Sequence, residues 1–299
     1  MRVPKGWMVL GAGYAGGRLV RALSADGAWA IGTTRRVSDA IALERSGAPA
    51  LVHAFDGADL RLASPAEVAV LSIPPPRGDS EPAEPRALRW AIKQGARRVI
   101  YWSSTSVYGS SGGAVVDEST PVAPDTDVGR RRLLAEERVR EVCASLEVEL
   151  AIVRIVGLYG PGRNLRQRLE RGDYALVDGG NGWSNRIHVD DIISATRHIA
   201  AQEGFAGVWL LSDGRPFQVK DFVAWNVEAL GLPMPPVVPL ESLAPRAQAF
   251  WTGNRRVSPE RLFASGWSPT WPDWKVALRA CWVEEGARLP DEQTPVVKK

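Results

Sequence analysis

Cysteine and histidine are scarce in this 299-residue chain, which has only Cys143, Cys281, His53, His188 and His198. The two cysteines have no paired spacing, and that excludes a disulfide framework and a zinc ribbon. The histidines have no carboxylate or cysteine partners at ligand spacing, so no metal is expected. A reduced, cytoplasmic setting is the plain expectation. Long apolar runs are also missing, since none approaches the ~20 residues that span a bilayer. The first strand opens so near Met1 that neither a signal peptide nor a membrane partner is expected. Nor does one charge dominate: 37 Lys and Arg face 34 Asp and Glu, a net +3. A nucleic-acid binder concentrates basic charge and interleaves aromatics. Here Lys and Arg are spread out, apart from Arg130-Arg131-Arg132 and the neighbouring pairs Arg35-Arg36, Arg97-Arg98 and Arg255-Arg256. They read as solvated surface plus a phosphate pocket, with no nucleic acid as partner. Hydrophobic residues at 45% and charged residues at 24% suit an ordinary globular protein of one large domain or two modest ones.

What is present is most concentrated in residues 7–20, where a short apolar run meets Gly11-Ala12-Gly13-Tyr14-Ala15-Gly16 and continues at helical spacing. A dinucleotide pyrophosphate needs this arrangement. Gly11 allows the tight strand-to-helix turn, Gly13 lets phosphate approach backbone, and Gly16 lets helix and strand pack closely. Tyr14 and Ala15 stand beside the cofactor and lead into a helix predicted at 16–25, whose N–H groups and dipole face the anion. A purely structural glycine turn is the alternative.

Downstream, strands are predicted at 28–33, 49–55, 66–73, 98–103 and 148–156. Helices are predicted at 38–46, with Ser38 as candidate N-cap, and at 86–95 and 127–146. This alternation implies an α/β protein with a doubly wound parallel sheet. After Gly160 the pattern changes. Residues 163–173 look helical, 175–183 look like a glycine-rich hairpin, and 190–201 look helical; 207–211 returns as a late strand. Residues from 215 onward are rich in Trp and Pro, with helices at 219–230 and 274–285. Trp251, Trp267, Trp271 and Trp274 read as the core of this part rather than a ligand cage. The expected division is a dinucleotide-binding domain over 1–165 with late sheet elements at 185–213. A smaller α/β substrate or lid domain takes 166–184 and 214–290, and 291–299 is a disordered tail.

An NAD-type ribose is usually held by Asp or Glu at the end of the second strand. That position reads Gly32-Thr33-Thr34-Arg35-Arg36, without a carboxylate. Two hydroxyls and two guanidiniums suit a 2′-phosphate, so NADP(H) is expected in preference to NAD(H). The alternative is that Arg35 and Arg36 only solvate a loop. Asp56 is placed to accept from the adenine amine. Ser72, Ile73 and Pro74 are placed to line the ribose, with Ser103 also beside the cofactor.

Three further segments follow the glycine loop in order: residues 101–109, with Ser103-Ser104-Thr105-Ser106; 154–162, with Gly157-Leu158-Tyr159-Gly160; and Asn185-Arg186-Ile187-His188-Val189-Asp190-Asp191. Together they resemble the extended short-chain dehydrogenase/reductase family of NAD(P)-dependent nucleotide-sugar epimerases and dehydratases. The resemblance implies a Rossmann domain with a small C-terminal substrate domain, and a homodimer paired through the long helix. It also implies a Tyr-x-x-x-Lys pair, in which lysine lowers the tyrosine pKa and tyrosine exchanges a proton with the substrate. Gly129 and Leu134-Ala135-Glu136 fix the register and put Val128 and Arg132 at those two positions. No tyrosine has a lysine four residues on. Val128 cannot donate a proton, whereas Arg132 can still bond the ribose but cannot act as a tunable base. Ser104 matches the family's catalytic hydroxyl and Ser106 a second polar site. Tyr108 and Tyr159 are the candidate replacement phenols; His188 is a proton relay or, the plainer reading, a hydrogen-bonded structural histidine.

Three functions follow. The first is an NADP(H)-dependent oxidoreductase acting on a small-molecule carbonyl, imine or activated alkene. The second is a dinucleotide-binding sensor or scaffold without turnover. The third, a nucleotide-sugar epimerase or dehydratase, is disfavoured by the lost tyrosine.

Overall fold

The computed structural model describes residues 4–55, 60–76, 78, 80–244, 248 and 251–287. The chain forms two compact units. The first takes residues 1–104, 129–154 and 192–209. It is built on β1 (Gly6–Leu10), β2 (Trp29–Thr34), β3 (Ala50–Val52), β4 (Val68–Leu71) and β5 (Arg98–Ser104). Helices α1 (Tyr14–Ala25), α2 (Val37–Arg45), α3 (Glu84–Lys93) and α4 (Asp127–Ser145) connect them. With β7 (Glu149–Ile155) and β12 (Gly207–Leu211) the strands make a seven-stranded parallel sheet in the order β12-β7-β5-β4-β1-β2-β3. β1 is buried at all five positions, as an apolar strand covered on both faces must be.

β1 pairs in parallel with both β2 and β4. The chain therefore builds one side of the sheet through β2 and β3, then returns to start β4 on the other side of β1. The order reverses between β1 and β4, which opens a crevice at the carboxyl ends of those strands. Beneath it one core holds Met8, Leu10, Leu71, Leu88, Tyr101 and Ile152.

The second unit takes residues 105–128, 155–191 and 210–299. Its strands are short and pair two by two. β6 (Val115–Val116) pairs with β15 (Arg256–Val257), and β8 (Gly157–Tyr159) with β11 (Arg186–His188). β9 (Leu176–Val177) pairs with β14 (Val237–Val238), and β10 (Trp183–Ser184) with β13 (Phe217–Gln218). Its helices are α5 (Arg166–Glu170), α7 (Val219–Leu230), Glu260–Ala264 and Trp274–Glu284, while α6 (Val189–Ala200) begins in this unit and runs on into the first. Trp274, Phe217, Phe222 and Trp282 form its core, with Trp251 and Trp271 packed against them. Trp267 is buried and stacks on Phe263. These tryptophans are packing residues, as expected.

Several local expectations fail for identifiable reasons. The hairpin at 175–183 does not form. Gly179 and Gly180 do turn the chain, at φ of 68° and 69°, but the flanking two-residue strands pair with distant segments instead of each other. The helix expected over 163–173 shrinks to Arg166–Glu170, because Gly160 and Arg163 exchange backbone hydrogen bonds and Asn164 Oδ1 accepts from the Arg166 N–H. Ser38 is not an N-cap. α2 starts one residue earlier, with Arg36 extended at the cap and its guanidinium on Asp39 of the first turn. The third strand spans only Ala50–Val52, and Phe55 already has φ 60°. Asp56 and the tail 291–299 lie outside the described residues. Among the described residues no helix is long and apolar enough to cross a membrane.

Candidate functional site

The glycine loop sits at the end of β1, in the first unit. Gly11 has φ +91°, a conformation L side chains rarely adopt. Its N–H donates to Thr33 Oγ1 at 3.1 Å, and its carbonyl accepts from Ser72 Oγ at 2.6 Å. The Ala12 N–H donates to the Thr33 carbonyl at 2.7 Å. Thr33 and Ser72 thus brace the loop from β2 and from the end of β4. Thr33 is buried, turned toward the loop rather than toward solvent. α1 then approaches so closely that a Cβ on Gly16 would lie 2.9 Å from the Gly11 carbonyl oxygen. At Gly13 the opposite holds, because a Cβ there would meet nothing within 4 Å.

Gly13 is also the N-cap of α1, with no side-chain cap and no acidic residue in the first turn. The Tyr14–Gly16 turn therefore presents backbone N–H groups and the positive dipole end toward open space. Arg18, one turn on, lies over the Tyr14 ring at 5.2 Å and adds positive charge to the same helix end. Nothing in the sequence motif singled it out. A braced loop, a helix end without a cap and an open face at Gly13 fit a dinucleotide pyrophosphate.

At the end of β2, Arg35 and Arg36 are exposed and Thr34 is half-buried. Arg36 Nε donates to Asp39 Oδ2 at 2.8 Å, and the Thr34 hydroxyl approaches the same oxygen at 3.5 Å. This pair raises the Arg36 pKa through its hydrogen bond and charge contact with Asp39. Asp39 is a carboxylate close to the ribose-binding position that sequence reasoning missed, because it belongs to the next helix rather than the strand end. Ile73 is half-buried and Pro74 exposed, directly after β4.

β5 ends in Ser103 and Ser104. The Ser103 hydroxyl donates to Glu136 Oε1 at 2.5 Å, and Arg154 grips the same carboxylate through Nε at 3.0 Å and Nη2 at 2.8 Å. Glu136 and Arg154 are buried, so α4, β5 and β7 are joined by a two-pronged internal ion pair. Arg132 sits one turn earlier on α4. Its Nη1 donates to Tyr101 Oη at 2.9 Å and to the Trp102 carbonyl at 3.1 Å, docking α4 onto β5. Ser104 is half-buried at the strand end.

In the second unit Ser106 lies half-buried in the Thr105–Tyr108 turn. The Tyr108 hydroxyl donates to the Asp117 carbonyl at 2.9 Å. Tyr159 is buried, and burial pushes its phenol pKa upward, opposite to the shift a proton-exchanging tyrosine needs. Val128 is 48% exposed and aliphatic. His188 Nδ1 accepts from the Asp190 N–H at 3.2 Å, while Nε2 faces Cys281 Sγ at 3.4 Å. Both ring nitrogens are engaged in packing the unit.

Two carboxyls here are hard to ionise. Asp191 accepts from the N–H groups of Thr270 and Trp271, yet burial pushes its pKa up to about 6. Asp213 accepts from the Arg215 N–H, and burial pushes it up to about 7. In the unfolded chain both ionise at about pH 4. Between about pH 4 and 7 the folded state therefore holds extra protons, and stability falls as pH rises. Asp213→Asn is expected to raise stability by about 1–3 kcal/mol at pH 8 and by nothing at pH 4. Urea unfolding at the two pH values measures this, and an equal effect at both would refute it.

The family model for the NAD dependent epimerase/dehydratase family matches residues 84–208. A 3-diazoavenalumate denitrifying reductase from Streptomyces sp is 30% identical over 201 residues, covering 62% of this chain and 64% of that protein. The match thus spans less than two thirds of that reductase. A 2′-dehydrokanamycin reductase from Streptomyces kanamyceticus is 28% identical over 245 residues, 77% of this chain and 68% of that protein. Among solved structures, a functionally unknown conserved protein from Silicibacter pomeroyi DSS superposes with a TM-score of 0.82 at 30% identity, over 94% of this chain and 99% of that one. The chain belongs to the NAD dependent epimerase/dehydratase family, and its fold is that of the extended short-chain dehydrogenases/reductases.

Proposed function

We propose that the chain is an NADP(H)-dependent reductase whose acceptor takes hydride without needing a proton from the protein. The observation that carries this reading is an open phosphate cradle at Gly13 in a chain that has Val128 where the family's tyrosine stands. Gly11, Gly13 and the first turn of α1 would hold the pyrophosphate, while Thr33 and Ser72 keep the loop in shape. Arg35 and Arg36 would take a 2′-phosphate, with Arg36 exchanging Asp39 for the stronger anion. That exchange is easy, since the Arg36–Asp39 pair is solvent-exposed and weak. When bound, the nicotinamide supplies hydride.

Ser104, at the carboxyl end of β5, would orient the acceptor through its hydroxyl, and Ser106 would add a second polar contact. Arg132 would bond the ribose as well as Tyr101. An iminium ion, an activated alkene or a diazonium group suits this arrangement. In the last case hydride replaces the departing N₂ at carbon, and no proton is required. The relative named a 3-diazoavenalumate denitrifying reductase supports this class of acceptor. A sensor without turnover is the second reading, favoured by the engagement of Tyr108 with Asp117.

The test is transfer of deuterium from 4-deuterated NADPH into carbonyl, iminium and diazonium acceptors, read by mass spectrometry. One acceptor should gain a single deuterium. Ser104→Ala should then leave NADPH affinity unchanged and lower turnover roughly 10- to 100-fold. Bound NADPH with no transfer to any acceptor class would leave the sensor reading standing.

A further inference from the structure

Among the buried polar side-chain atoms of the second unit that find no hydrogen-bond partner are Tyr159 Oη, Arg186 Nε and Asp213 Oδ2. They are neighbours. Tyr159 ends β8 and Arg186 begins β11, in adjacent parallel strands. The Asp213 N–H donates to the Arg186 carbonyl at 3.2 Å. The side chains feel one another's charge, since Arg186 is in electrostatic reach of Tyr159, Tyr174 and Asp213. Isolated orphan atoms are ordinary; three in one cluster, one of them on a cation, are not.

The place of the guanidinium is built. Gly157 stands opposite Arg186 in the strand pair, and a Cβ there would lie 2.6 Å from Nη1. The other side of the guanidinium rests on the Phe222 ring at 5.4 Å. Among the described residues Arg186 forms no ion pair and no side-chain hydrogen bond. Gly157 is exposed, so the cluster meets solvent at that edge.

We propose that Arg186, Tyr159 and Asp213 form a binding site, within the second unit, for the carboxylate of a small organic acid. The planar guanidinium fork matches a carboxylate in geometry and charge. The Tyr159 hydroxyl donates to the same group. Asp213 lends its own acid proton, which burial keeps in place up to about pH 7. A phosphate dianion fits less well, because one cation beside a carboxyl cannot balance two buried charges. Phe222, stacked on Phe217 with centroids 4.7 Å apart, gives the site a flat apolar wall.

The site stands apart from the cofactor reading, because its test needs no NADPH. The protein is titrated with benzoate, benzyl alcohol and inorganic phosphate, following heat and melting temperature. Benzoate should bind saturably, with benzyl alcohol and phosphate at least roughly tenfold weaker. Arg186→Gln should weaken benzoate at least roughly tenfold, and Tyr159→Phe about three- to tenfold. Tyr159→Phe removes only an unpartnered hydroxyl, so it decides the matter if Arg186→Gln fails to fold. Absence of saturable benzoate binding, equal binding of the alcohol or phosphate, or full benzoate affinity in the variants would each overturn the proposal.

Discussion

Replacing Glu136 by alanine should cost the protein about 3–5 kcal/mol, because it leaves the Arg154 charge buried beside an empty space. The carboxylate accepts from Ser103 and, twice, from Arg154, with both charged groups under 5% exposed. Water cannot take over these bonds without opening the contact between α4, β5 and β7. The pair matters as a pair. Glu136→Met with Arg154→Met should lose much less than either single change, since no charge is then left uncompensated. Urea unfolding of the single and double variants measures the difference. A Glu136→Ala loss below about 1 kcal/mol would show that the ion pair does not hold the sheet to its helix.

Gly13→Val should abolish dinucleotide binding while leaving the fold nearly untouched. The backbone there, φ −80° and ψ −149°, accepts an L side chain, and a Cβ meets no protein atom within 4 Å. The stability change should stay below about 1 kcal/mol, the scale of an N-cap substitution. A branched side chain on the open face would nevertheless fill the space over which the phosphates must pass. NADPH affinity should fall at least roughly 100-fold, about 2.7 kcal/mol. Gly16→Ala is the contrast. Its methyl would press on the Gly11 carbonyl at 2.9 Å and Val9 at 3.0 Å, so stability and binding should fall together. Wild-type NADPH affinity in Gly13→Val would place the pyrophosphate elsewhere.

The sheet was legible because its signals are local. An apolar run, a glycine turn and a helical period mark β1 and α1, and α7 runs over the predicted residues 219–230. The second unit was legible only as composition. Its two-residue strands pair Leu176 with Val237 and Trp183 with Gln218, and so short a strand has no period to read. Buried polar anchors were hidden for the same reason. Asp191 looked like one acid of a pair in a family motif, yet it accepts from Thr270 and Trp271. Glu136 looked like a register mark on an amphipathic helix, whereas its partner Arg154 arrives only through the α4-to-β7 connection. Thr33 read as a phosphate ligand by position, but its burial against the Gly11 N–H is a fact of packing.

The most direct measurement is a calorimetric titration of the wild-type chain with NADPH and, separately, NADH. Both should bind, with NADPH at least roughly tenfold tighter, as expected if Arg35 and Arg36 gain a phosphate. Equal affinities, or NADH the tighter, would mean that Asp39 keeps Arg36 and serves the ribose hydroxyls. Binding of neither would contradict the cofactor role assigned to the Gly11–Gly16 cradle.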